Sequence, residues 1–307
     1  MSAVSKRTDG VPANGQAIAT ICFGVFCLVL NDALAKWLTA HYGPLQIIFL
    51  RNLFALPMIT VIALSLGGRA SLRSSHMAVH AMRGLLMVVA GFAFFSGLKI
   101  LPLAEATSLV FAAPIFITAL SVPLLGESVG WRRWAAVSAG FLGVLIIVRP
   151  GAAAFQPASL FVVATAMFYA LFMISARWVK RDENVWTMMF YVVLFPLLFS
   201  GMIVPFQWSG LALSHIPHLV GMAIFGTLGM TLIGHSFRLA PAAIVAPFDY
   251  TALLWASVIG WLVWGELPDA WTYAGAAVII ASGIYIVLRE TRQRQESARS
   301  KSFRRCL

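Results

Sequence analysis

Long unbroken runs of apolar residues dominate the chain, separated by short clusters of Gly, Pro and charge. A helix needs about 20 apolar residues to cross a hydrocarbon core of roughly 30 Å. Ten segments meet that measure: 17–38, 45–66, 79–98, 103–125, 132–149, 158–178, 185–205, 217–237, 242–265 and 271–288. Strands of a membrane barrel alternate apolar and polar positions. Here the runs are continuous, as in Phe141–Val148 and Val192–Pro205. The pattern predicts an all-α membrane protein of ten transmembrane helices, with short connections and almost no domain outside the bilayer. The longest connection is Gly67–Ala78. Residues 1–16 are polar and lead straight into the first run, so no cleavable signal peptide is expected.

Composition narrows the class. Of 307 residues 60% are hydrophobic and 11% charged, against about a quarter charged in ordinary soluble domains. So few charges cannot cover a soluble fold of this size, and disordered chains are charge-rich and apolar-poor. Three cysteines, Cys22, Cys27 and Cys306, make no disulfide scaffold. The net charge of +11 would suggest nucleic acid in a soluble protein. Position removes that suggestion. With the N-terminus in the cytoplasm, Lys6, Arg7, Arg69, Arg73, Arg132, Arg133, Arg177, Lys180, Arg181, Arg238 and the basic residues from Arg289 onward all fall on the cytoplasmic side. Only Lys36, Lys99 and Arg149 fall outside, and Arg51 and Arg83 lie within spans. Positive charge collects on the cytoplasmic side of membrane proteins. Both termini are therefore expected in the cytoplasm of a multi-pass protein of a bacterial inner (plasma) membrane. No nucleic-acid partner is expected; the basic tail, 289–307, suits anionic lipid.

The two halves resemble each other. Leu124-Leu125-Gly126-Glu127 matches Val263-Trp264-Gly265-Glu266 at an offset of 139, as do Pro102 with Pro241 and Ala104 with Ala243. Trp131, Gly143 and Arg149 match Trp271, Gly283 and Arg289 at 140, and Lys36-Trp37 matches Arg177-Trp178 at 141. The expected organisation is a cytoplasmic segment 1–16, a first five-helix repeat 17–150, a second 151–288 and the tail. Five is odd, so the second repeat enters the membrane from the opposite side. Inverted repeats recur in secondary transporters, with the substrate site near the midplane between the halves.

Pro102-Leu-Ala-Glu-Ala-Thr-Ser-Leu-Val-Phe-Ala-Ala-Pro114, then Leu125-Gly-Glu127, Trp131 and Gly140-Phe-Leu-Gly-Val-Leu-Ile-Ile-Val-Arg-Pro150, resembles the repeat of EamA-type carriers of the drug/metabolite transporter superfamily. The second copy runs from Leu239 through Gly265-Glu266 to Arg289. The resemblance covers nearly the whole chain and implies a ten-helix inner-membrane carrier. Within the superfamily the sequence is most similar to amino-acid exporters of the YddG type and to carriers of S-adenosylmethionine.

Ionisable residues inside a span are expensive and point to function. Asp32 and Arg51 each lie about six residues from the outer ends of the first and second spans, roughly 9 Å deep at ~1.5 Å per residue, and are placed to pair. Arg83 and Asp249 lie similarly near the cytoplasmic side, with His235 as a neighbour. The expectation is two polar clusters flanking a central cavity. Snorkelling to headgroups is the competing account for the arginines; aspartate is too short for it. Glu105 opens the fourth span, where a helix cap and a cavity role compete. Glu127 and Glu266 read as turn or cap residues. Tyr169, Phe248, Asp249, Tyr250 and Trp255 make an aromatic and acidic set that suits an amino acid, against ordinary helix packing. Pro114 and Pro247 interrupt the matched fourth and ninth spans and are candidate hinges.

No phosphate loop, nucleophile elbow or metal-ligand spacing occurs, so no cofactor, metal or catalytic residue is expected. A membrane-embedded enzyme lacks its constellation. An ion channel is disfavoured because Asp32 and Arg51 are matched by Met173 and Val192 in the second repeat. The reading is a secondary transporter of amino acids, aromatic or otherwise apolar, or related small metabolites, working as an exporter by alternating access. Its alternative is an uptake carrier for a cationic metabolite such as S-adenosylmethionine. Direction, proton coupling and oligomeric state are written in no local motif.

Overall fold

In a computed structural model, the backbone is described for residues 10–126, 130–152, 155–179 and 183–305. Side chains are described for the same residues except 10–14, 242–243 and 290–305. Lys6, Arg7, Glu127, Lys180 and Arg181 thus lie outside the described residues.

Ten helical stretches are long and apolar enough to span a bilayer: Gly15–Thr39, Pro44–Gly67, Met77–Leu98, Leu103–Leu125, Trp131–Val148, Ala158–Trp178, Val185–Gln207, Leu213–Leu239, Ala246–Trp264 and Ala270–Arg289. They are called the first to tenth spans. No strand occurs among the described residues, because in hydrocarbon each backbone polar group must be satisfied within its own segment. The eighth span starts at Leu213, earlier than expected from sequence, because residues 213–215 already form a turn of 3-10 helix leading into Pro217 at the helix start. The last helix runs on past the membrane segment to Arg305.

Two spans are broken. The fourth is two helices, Leu103–Val110 and Ala113–Leu125, with Pro114 in the first turn of the second. A proline there costs nothing, since its missing N–H would have no helical partner. The ninth begins as a 3-10 turn, Ala246–Tyr250, with Pro247 in it, and becomes α-helical at Thr251. Both spans end on a left-handed glycine, Gly126 (φ 66°) and Gly265 (φ 69°). The repeated Gly-Glu motif thus marks the same helix stop twice, where a residue without Cβ adopts positive φ at no steric cost.

Packing follows the repeat. The first span lies against the eighth and the third against the sixth; the second meets the seventh and the fifth meets the tenth. Exchanging the two halves maps the first pair onto the second and each of the others onto itself. Phe111 and Tyr250, equivalent by the 139-residue offset, meet each other edge-on with ring centroids 4.9 Å apart. Ser282 of the tenth span donates to the Ala136 carbonyl of the fifth at 2.5 Å.

Side-chain contacts gather residues 40–43, 149–152, 208–212 and 265–269 towards one face, called the outer face below. Tyr42 hydroxyl lies 2.8 Å from His215 Nδ1, and Gln46 donates to the Ser209 carbonyl at 2.7 Å.

Candidate substrate site

The first span carries Asn31, Asp32 and Lys36 on one side of a helix whose neighbouring positions Ala33, Ala35 and Leu38 are buried in the core. Asn31 Nδ2 donates to Asp32 Oδ1 at 2.9 Å. Arg51, about two turns inside the second span, comes close enough to Asp32 to feel its charge. No direct ion pair or hydrogen bond joins them, and Arg51 makes none to any other described residue.

Four groups share an unusual placement. Asp32, Arg51, Tyr169 and Asp249 are enclosed by protein on nearly all sides. Nevertheless none is sealed: Asp32, Arg51 and Tyr169 keep partial access and Asp249 is exposed. Each is thus surrounded by the helix bundle while part of its surface stays open. Asp249 acts electrostatically on both Tyr169 and Tyr250, so the carboxylate faces two phenols from the sixth and ninth spans. It makes no hydrogen bond or ion pair among the described residues. Trp255, one turn further along the ninth span, packs edge-on against Phe26 at 5.0 Å, and its Nε1 has no hydrogen-bond partner. Phe248 packs against a small apolar cluster of Ala17, Ile21, Val25, Ala240 and Val245. Two charged settings result: Asp32 with Arg51 on the first and second spans, and Asp249 with Tyr169 and Tyr250 on the ninth and sixth.

The expected meeting of Arg83 with Asp249 does not occur. Arg83 is 4% exposed and donates through Nη1 to the Phe172 carbonyl at 3.1 Å and Ser175 Oγ at 3.3 Å. Its guanidinium sits 4.3 Å above the Phe172 ring and is drawn electrostatically to Glu183. The reason is lateral. The third span packs against the sixth and seventh, whereas the ninth packs against the first and fourth. Depth along a helix is readable from sequence, but the side on which a residue falls is not. His235 is exposed and joins neither group. Glu105, in the first turn of its helix, accepts from Ser159 Oγ at 3.4 Å near Arg149 and Asp269.

Other polar groups came together without any sequence signal. Lys36, counted from sequence as an outer-face charge, is 8% exposed. It donates to the Leu101 carbonyl at 3.0 Å and pairs with Glu266. Arg149 pairs with Asp269. Both pairs join the first half to the second at the outer face. The matched glutamate of the second repeat thus does more than cap a turn. At the opposite face His80 Nε2 lies 3.2 Å from Glu183 Oε2. That carboxylate borders a cavity of about 230 Å³ lined also by Ser71, Arg73, His76 and Asn184. The run Ala35-Lys36-Trp37-Leu38 was the available hint for Lys36, since a cation there interrupts an apolar pattern. Among the described residues no group of three His, Cys, Asp or Glu is placed to hold a metal ion.

The EamA-like transporter family model matches residues 15–149 and again 156–289. An S-adenosylmethionine uptake transporter of Rickettsia prowazekii is 26% identical over 277 residues, covering 88% of this chain and 92% of that one. A riboflavin transporter of Rhizobium johnstonii is 31% identical over 258 residues, covering 80% of each. A pseudopaline exporter of Pseudomonas aeruginosa is 26% identical, covering 84% and 91%. A protein of known crystal structure shares the fold with a TM-score of 0.59 at 20% identity, over 91% of this chain and 98% of that one. With two family matches over ten apolar spans, the chain belongs to the EamA-like transporter family and is a multi-pass transporter of a bacterial inner membrane.

Proposed function

We propose that the protein is a secondary carrier that exports amino acids, aromatic or otherwise apolar, or related small metabolites by alternating access. The observation that carries this reading is the set Asp32, Arg51, Tyr169 and Asp249, ionisable groups within membrane spans that stay partly accessible. A charge at bilayer depth costs about 2.5–3.5 kcal/mol even on the mildest scale. Placing two unpaired ones around a cavity is an expense that ligand binding explains and packing does not.

The domain reading goes with it. The halves 17–150 and 151–288 act as inverted repeats, with both termini and the basic tail 289–307 in the cytoplasm. The exchange symmetry of the helix contacts and the charge distribution support this. The cavity between the halves would then open to each side in turn. Pro114 and Pro247 serve as hinges, because a helix already broken bends at little cost. Arg83, held by the sixth span, and Glu105 act at the two ends as gating rather than cavity groups.

A second reading is uptake of a cationic metabolite such as S-adenosylmethionine. The relative so named favours it, as does the unpaired Asp249 with its two tyrosines, a setting suited to a cation. Counterflow in proteoliposomes tests both. Saturable exchange of a labelled amino acid supports the first, and exchange of S-adenosylmethionine alone supports the second. No exchange of either in a folded preparation overturns both.

A further inference from the structure

Three side chains, and one that is missing, meet at a single spot between the first, second and eighth spans. Asn31 is 4% exposed, and its Oδ1 is buried with no hydrogen-bond partner among the described residues. The amide's orientation is set, because Nδ2 donates to Asp32 Oδ1 and a carboxylate can only accept. Oδ1 is left facing the eighth span at Gly226. A β-carbon at Gly226 would lie 2.9 Å from Asn31 Oδ1 and 3.2 Å from Arg51 Nη2. Only glycine lets the eighth span approach the Asn31 acceptor and the Arg51 donor this closely. Arg51 brings a guanidinium that no described residue occupies, and Asp32 brings a carboxylate with room for further donors.

We propose that this spot seats the head group of an α-amino acid. Arg51 receives the carboxylate, and Asp32 with Asn31 Oδ1 receives the ammonium. A guanidinium presents a planar fork that fits a carboxylate through two parallel bonds. An ammonium carries three donors, enough for both acceptors. A buried acceptor without a partner is costly to leave unmade; an arriving ammonium satisfies it, and water at a single polar point does so less completely. The inference rests on the carrier reading but names only the part of the substrate held here. The aromatic space by Asp249 is left for whatever side group the substrate bears, so the head-group seat is common to simple amino acids and to S-adenosylmethionine.

The test uses the purified full chain, with thermal stabilisation as the measure of binding. The ligands are methionine, phenylalanine and S-adenosylmethionine, the first two each also as the carboxamide. A site built to bond a group rejects the analogue lacking it by large factors, so at least one acid is expected to bind about 100-fold tighter than its amide. R51Q should bring acid and amide within about threefold, and R51K should leave an intermediate preference, keeping the charge but losing the fork. G226A should weaken the acids by forcing Asn31 Oδ1 and Arg51 out of position. Equal binding of acid and amide to wild type overturns the proposal, as does a preference that survives R51Q, or the failure of all three acids to bind. Counterflow separates this from the carrier reading. Binding of an acid without any flux overturns the carrier and leaves the seat standing. Flux that ignores the carboxylate overturns the seat and leaves the carrier.

Discussion

Charges at the outer face and charges in the centre of this protein are treated in opposite ways. At the face two basic groups are paired across the two halves. Lys36 meets Glu266, lies 5.0 Å from the Trp264 ring centroid and also bonds the Leu101 carbonyl; Arg149 meets Asp269. In the centre Arg51 and Asp249 have no direct partner among the described residues, although the surroundings are less forgiving there. Pairing removes a charge from further business and ties two helices together. An unpaired charge in a cavity stores an unmet interaction, which a ligand can meet. The comparison assigns the rim to holding the halves in register and the centre to recognition.

Substitution in the centre should break this contrast most visibly. Asp249→Asn is expected to lower counterflow of the transported substrate about 100-fold, the scale of a lost charged contact, while leaving thermal stability unchanged, since no partner is orphaned. A loss of stability as large as the loss of flux would show Asp249 to be structural and end the distinction. At the rim the order reverses. Lys36→Met should cost about 2 kcal/mol in denaturant unfolding, below the cost of breaking a fully buried pair because Glu266 can rehydrate. Adding Glu266→Gln should recover most of it, and additive losses would deny the pairing.

Smaller effects sharpen the comparison further. Pro247→Ala restores a helical N–H in a broken segment and should slow turnover about fivefold at unchanged KM; an unchanged rate removes the hinge. The least effect belongs to Asp269. Partial burial raises its pKa, but the Thr272 amide and hydroxyl and Arg149 outweigh this and hold it below the usual carboxylate range. A lowered folded-state pKa stabilises above the unfolded value, near 4, and that stability is lost as pH falls through the folded value. Thermal unfolding of wild type should therefore decline between about pH 4 and 3 more steeply than that of Asp269→Asn. Parallel curves would show the Arg149–Asp269 pair to be idle. Because Asp269 is exposed, the difference should be small.

Much of the fold is legible along the chain because the bilayer imposes one length on every span. Eight of the span positions follow from apolar run length to within two residues, and even the broken fourth and ninth spans announce themselves by Pro114 and Pro247. The Gly-Glu repeat was visible as a motif, and its glycine half has a local cause, a left-handed helix stop at Gly126 and Gly265. The site was legible in one dimension only. Asp32 and Arg51, expected at one depth, do act on each other. Arg83 and Asp249 share a depth too, yet face different neighbours. Asn31 beside an aspartate and Gly226 among the glycines of its span carry no signal of a binding site until their helices meet.

By itself the sequence determined which segments cross the membrane, how many there are, which residues are too costly to bury without reason, and that the chain repeats. These are set by local composition acting against a solvent of fixed thickness. Only the tertiary structure decided which charges find partners. Helix rotation and neighbour choice come from packing between segments far apart in the chain. They sent Arg83 to a carbonyl of the sixth span and Lys36 to a glutamate 230 residues away, and they left Arg51 and Asp249 without a direct partner among the described residues.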